Sequence, residues 1–170
     1  GLLMRLDHAH LGIAQIQDLH MALQRFKSAG KFTVAHADTF GDSGPGTLPY
    51  YLASGFDEIA LQPFGSIYFV GLFMEVPYIR RLLDNYDIIP RFSRRQEHKN
   101  AFETFTHNTM SLESIESTKA LLHSLMENII KTIARERELK EDDVRGLLQA
   151  SPINDAEQAK KMGFVDHVAY

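Results

Sequence analysis

Lys99 is the residue whose neighbours could change its chemistry. It sits in Phe92-Ser93-Arg94-Arg95-Gln96-Glu97-His98-Lys99-Asn100-Ala101-Phe102-Glu103-Thr104-Phe105-Thr106, a run crowded with cations and aromatics. A lysine at its ordinary pKa of about 10.4 is a poor base at neutral pH, and burial or nearby positive charge makes it a useful one. Arg94, Arg95 and His98 supply positive charge, and Phe102 and Phe105, at helical spacing, supply an apolar wall. Glu97 and Glu103 oppose them. The competing reading of the same residues is a solvated basic loop.

A neutral lysine can take the proton of a serine hydroxyl without a third group to set a tautomer. The glycine- and proline-rich stretch 39–49 holds one serine, Ser43, in Asp42-Ser43-Gly44-Pro45-Gly46, so Ser43 with Lys99 is one candidate dyad. Such a loop, after a strand and before a helix, lies where α/β sheets commonly place active sites; a plain connector has the same composition. Its glycines form neither Gly-x-Gly-x-x-Gly nor a Gly-Lys-Ser/Thr ending, so neither dinucleotide nor P-loop binding is supported. Of eight histidines, His8 and His10 are the closest pair, with no third ligand placed by spacing and no His-Glu-x-x-His run. Neither a metal nor a cofactor is expected.

These residues need a scaffold, and at 170 residues and 44% hydrophobic the chain can close one sizeable core. A single domain spanning 1–170 is expected. The net charge of −4 and pI near 6.1 argue against a nucleic-acid partner. The absence of cysteine removes disulfides, zinc thiolates and thiol nucleophiles. No apolar run is long enough for a transmembrane helix, and the chain is expected to be soluble as given. It opens on Gly1 and enters an apolar run at once, which suggests a piece of a longer protein.

Alternating short apolar runs and helical periodicities predict an α/β fold. Residues 1–7 read as a strand buried on both faces, 13–28 as a helix ended by Gly30, and 32–37 as a second strand, which makes a βαβ unit. Further strands are expected at 58–63, 88–92 and 164–168. Helices are expected at 75–86, 141–149 and 155–162. A long helix capped by Ser111 is expected to bury Leu112, Ile115, Leu122, Leu125, Ile129 and Ile133 along one face.

Several segments in order resemble protease IV, the signal peptide peptidase A family of the ClpP/crotonase fold. They are Gly1-Leu2-Leu3-Met4-Arg5-Leu6, Tyr50-Tyr51-Leu52-Ala53-Ser54 with Asp57-Glu58-Ile59, Gly65-Ser66-Ile67, His98-Lys99-Asn100-Ala101-Phe102-Glu103-Thr104-Phe105, and Ala156 followed by Met162-Gly163-Phe164-Val165-Asp166. The resemblance implies an α/β, ClpP/crotonase-like ββα superhelix with a mostly parallel sheet and a long C-terminal helix. It also implies that Lys99 is the general base of a Ser-Lys dyad. The family's nucleophile lies in a Ser-Gly-Gly-Tyr-Tyr segment; here that serine position falls on Thr47 and the glycines on Leu48 and Pro49. Of the glycines expected to form the oxyanion hole after the first strand, Asp7-His8-Ala9-His10-Leu11-Gly12 keeps Gly12.

The pattern therefore resembles the N-terminal half of the long, two-repeat form. The resemblance implies a lysine-bearing half-site completed by the serine of a C-terminal repeat, in a homo-oligomer. Expected substrates are signal peptides or other unfolded apolar peptides. The parent is expected to be anchored in the cytoplasmic membrane by an upstream segment, with this domain on the periplasmic side. A non-catalytic assembly domain is the alternative from another class, with the 112–133 helix face, Tyr68 and Phe69 as contact candidates. The acyl-CoA-processing crotonase branch shares the fold; the Lys99 segment argues against it.

Overall fold

The computed structural model describes residues 1–6, 11–42, 44–93 and 99–170. Its chain divides into two units, one of residues 1–71 with 128–170 and one of residues 72–127.

The first unit is built on a four-stranded parallel sheet in the order β1 (Leu2–Arg5), β2 (Thr33–Ala37), β3 (Glu58–Leu61), β4 (His167–Val168). Leu3 pairs with Val34, Ala35 with Ile59 and Ala60 with His167, so the register runs across all four strands. Parallel neighbours need crossovers, and α1 (Ile13–Ser28) and α2 (Thr47–Ala53) lie in the first two. Helix α1 buries Ile16, His20 and Leu23, as its periodicity predicts, and stops at Gly30, whose φ of +73° suits a residue without Cβ. The turn into β3 is tied to β2 by Asp57, which accepts from Thr33 N at 2.8 Å and Thr33 Oγ1 at 2.9 Å.

Tyr50, on α2, centres the core. Its ring meets Phe69 at 5.0 Å and Phe40 at 5.3 Å, and its hydroxyl donates to Phe164 O at 2.6 Å. Burial pushes the Tyr50 phenol far above its ordinary range, so it stays a neutral donor. Fully buried Leu52, Ile59, Leu61 and Phe164 complete this core, each worth about 1.5–3 kcal/mol relative to exposure. Phe69, a candidate contact residue by sequence, is core at 3% exposure, while Tyr68 beside it is partly exposed. Helices α6 (Glu141–Leu147) and α7 (Ala156–Lys161) also belong to this unit. Asp155 caps α7 by accepting from Glu157 N.

The second unit holds α3 (Arg80–Asn85), α4 (Glu103–Thr106) and the start of α5 (Leu112–Glu136). Ser111 caps α5: its Oγ accepts from Ser114 N at 3.2 Å.

Four expectations are corrected. β1 is not buried on both faces: it is an edge strand with one neighbour, and Leu3 is 71% exposed. The helix expected at 75–86 starts only at Arg80, because Pro77 disfavours helical backbone at Val76 and Ile79 N donates to Thr104 O instead. Residues 88–92 form no strand. Ile88 N closes the end of α3 on Leu83 O, and Ile88 and Ile89 are exposed. The fourth strand of the sheet is β4. Of the face expected for α5, Ile129 and Ile133 are buried, together with Met126 and Ile130, whereas Leu112 is 80% exposed.

Candidate active site

Lys99 lies in the second unit, at the start of the turn that leads into α4, and is exposed. With Phe92, Asn100, Phe102 and Phe105 it lines an open depression of about 670 Å³. Phe92 and Phe105 stack at 5.5 Å, 29° apart, and Phe102 lies 6.4 Å from Phe92. The two phenylalanines that follow Lys99 thus stand beside it, as the spacing suggests, with Phe92 as a third ring that spacing did not pick out. Arg94, Arg95, Glu97 and His98, which the sequence reading weighed in the charge balance at Lys99, lie outside the described residues.

Glu103, read from sequence as a charge working against a neutral lysine, is committed elsewhere. It is 6% exposed. Its Oε1 accepts from Ser111 Oγ at 2.7 Å and Ser114 Oγ at 2.9 Å, and its Oε2 from Ser111 N at 3.2 Å. Burial by itself would raise this carboxyl's pKa, but the donors from Ser111 and Ser114 outweigh it and hold the group below its ordinary range. The negative charge also lies at the positive end of α5. Asn100, next to Lys99, joins the same cluster by donating Nδ2 to Ser114 Oγ at 2.7 Å. The sequence reading found Ser111 as a cap and missed its partners; the signal available was a glutamate eight residues ahead of a Ser-x-x-Ser helix start.

Thr47, at the position that matches the family's nucleophile, opens α2 in the first unit and is 1% exposed. Its hydroxyl donates to Val70 O and accepts from Val70 N at 3.0 Å. Both capacities of the hydroxyl are spent on one backbone residue, and no approach is open to a substrate carbonyl. Gly46, just before Thr47, is packed as closely, while Asp42, Gly44 and Pro45 are exposed. Gly46 N donates to Tyr68 O at 3.1 Å, and a Cβ on Gly46 would lie 1.9 Å from Phe40 O. Ser66 Oγ donates to Asp42 Oδ1 and contacts Thr39 Oγ1 at 3.1 Å. Ser43 lies outside the described residues.

Gly12, the one glycine kept from the expected oxyanion segment, caps α1, with its N–H donating to Gln15 Oε1 at 2.9 Å. His8 and His10 lie outside the described residues. Among the described residues no cluster of three or more His, Asp or Glu side chains could hold a metal, and no helix is long and apolar enough to cross a membrane.

Residues 25–170 match Peptidase family S49. Protease 4 of Haemophilus influenzae is 33% identical over 123 residues, which cover 72% of this chain and 19% of that protein. The chloroplastic serine protease SPPA of Arabidopsis thaliana is 21% identical over 170 residues, covering 100% of this chain and 24% of that protein. This chain therefore spans about a fifth to a quarter of the length of these curated relatives. A crystal structure described as that of an enzyme superposes with a TM-score of 0.50 at 10% identity, covering 91% of this chain and 66% of that one, a likeness of fold alone. The parallel sheet with crossover helices, the long helix α5 and the match over 25–170 agree: this chain has the ClpP/crotonase-like α/β fold and belongs to Peptidase family S49, the protease IV/signal peptide peptidase A family.

Proposed function

We propose that this chain is the lysine-bearing half of a serine peptidase, in which Lys99 is the general base and the nucleophilic serine comes from a C-terminal repeat of the same protein. The observation that carries this reading is the contrast between Lys99 and Thr47. Lys99 stands exposed in an aromatic depression, while the residue at the nucleophile's position is buried with its hydroxyl spent on Val70. The share of each relative's length that the chain spans supports a further repeat elsewhere in the protein.

In the mechanism, Lys99 Nζ takes the proton of the incoming serine hydroxyl as its oxygen attacks the substrate carbonyl. The resulting ammonium returns that proton to the leaving amine, and the acyl-enzyme is hydrolysed by water activated in the same way. Oxyanion donors are supplied with the serine, since the segment that would carry them here keeps one glycine. The apolar rings beside Lys99 suit an unfolded, apolar peptide, and signal peptides are the proposed substrates. The complete protein is an oligomer anchored in the cytoplasmic membrane by a segment outside this sequence, with this domain on the periplasmic side.

Fluorophosphonate labelling tests the reading. This chain alone takes up no label. Mixed with the C-terminal portion of its parent protein, the added portion is labelled, and Lys99→Ala abolishes that labelling. Label on this chain itself, lost in Ser43→Ala, would replace the reading with a self-contained Ser43/Lys99 peptidase. Labelling and turnover unaffected by Lys99→Ala would leave a non-catalytic assembly domain.

A further inference from the structure

The residue beside Lys99 is held through its backbone and through its side chain. Asn100 O accepts from Glu103 N at 2.9 Å, while Asn100 Nδ2 donates to Ser114 Oγ at 2.7 Å. Ser114 has one hydroxyl proton, which goes to Glu103 Oε1 at 2.9 Å and leaves a lone pair for Asn100. Glu103 is an ionised acceptor with both oxygens occupied, so the direction of every hydrogen bond in this chain of groups is fixed, from Asn100 through Ser114 to Glu103. Glu103 and Ser114 are 6% and 4% exposed, so a bond lost between them is not made good by water. Capping α5 requires none of this extension: Ser111 Oγ already accepts from Ser114 N.

We infer that Asn100, Ser114 and Glu103 are positioning residues for Lys99, tying the turn ahead of α4 to the first turn of α5 and thereby fixing the root of the lysine side chain. The inference rests on the reading of Lys99 as general base. Proton transfer needs the two heavy atoms within about 2.6–3.2 Å. A four-carbon stem amplifies any error at its root, and a misplacement of about 1 Å can cost on the order of 100-fold in rate.

The test is steady-state peptide hydrolysis by the full-length protein. Ser114→Ala lowers kcat by about 10- to 100-fold with KM little changed, and Asn100→Ala, at a half-buried position that folding tolerates better, gives the same split. Ser114→Thr, which keeps the hydroxyl, recovers most of the kcat lost in Ser114→Ala. Asp155→Ala, which removes the cap of α7, serves as a stability control: it lowers Tm and leaves kcat unchanged. If Lys99→Ala is inactive while Ser114→Ala and Asn100→Ala turn over normally, change only KM, or lose no more kcat than Asp155→Ala, positioning is overturned and the base reading stands. If Lys99→Ala turns over normally, the base reading itself has failed.

Discussion

A hydroxyl can be a nucleophile or a structural clamp, and its surroundings decide which. Thr47 is β-branched, buried and bonded in both senses to Val70, so it holds the strand-like segment through Val70 against α2. Thr47→Val preserves shape and leaves a buried N–H and C=O unpaired, which costs about 1–3 kcal/mol, measurable as a lower urea midpoint at unchanged slope. Thr47→Ser keeps the clamp and stays unlabelled by fluorophosphonate. Lys99 is the opposite case, an exposed side chain whose value lies in what meets it. The motif around Lys99 was legible in the sequence because its residues are adjacent. The commitment of Thr47 to Val70 was not, because those partners are 23 residues apart.

Between elements, a bidentate ion pair joins the residue after α5 to the approach to β4. Arg137 donates to Asp166 through Nη1 at 2.9 Å and Nη2 at 2.8 Å, and through Nη2 also to Gly163 O at 3.1 Å. Asp166 Oδ2 accepts from Ile59 N at 2.7 Å, so the same carboxylate holds β3. Burial alone would raise the Asp166 pKa, but Arg137 and Ile59 N overcome it and hold the group below its ordinary range. Arg137 is 7% exposed in its side chain and Asp166 32%, so the pair is partly screened. Arg137→Ala then costs about 2 kcal/mol, below the range for a fully buried pair, and thermal denaturation reads it as a lower Tm. The short strand β4 is held by this tie as well as by its two-residue ladder.

At the scale of the folded molecule, stability should depend on pH through His20. Its Nε2–H donates to Tyr51 O at 2.7 Å, and the ring packs tilted against Tyr51 at 4.9 Å. Burial is the largest influence and pushes its pKa below the ordinary value of 6.5. The Tyr51 bond and Glu136 pull it up, while Arg135 and Lys27 push it down. Because the folded value is the lower one, the unfolded chain takes up this proton first as pH falls. The contribution is present above 6.5 and is lost progressively as pH falls from there through the folded value. Urea midpoints should fall on acidification within that window, and His20→Gln should flatten the dependence there. Glu103 and Asp166 also have lowered values, but they act below the ordinary carboxylate range, a separate and more acidic limb.

By itself the sequence determined what is local or periodic. The α1 face through Ile16, His20 and Leu23, the Ser111 cap, the βαβ order and the ordered motifs around Tyr50 and Lys99 all follow from neighbours within a few residues. It could not determine which apolar run finds a strand partner. Ile88 and Ile89 read as a strand, yet the side of β3 away from β2 pairs in register with His167 and Val168, because pairing is a property of two distant segments. Nor could it show that Glu103, a local negative charge on paper, is spent on Ser111 and Ser114, or that Thr47 is sealed by Val70. A side chain's chemistry depends on its solvent exposure and its hydrogen-bond partners, and the tertiary fold assigns both.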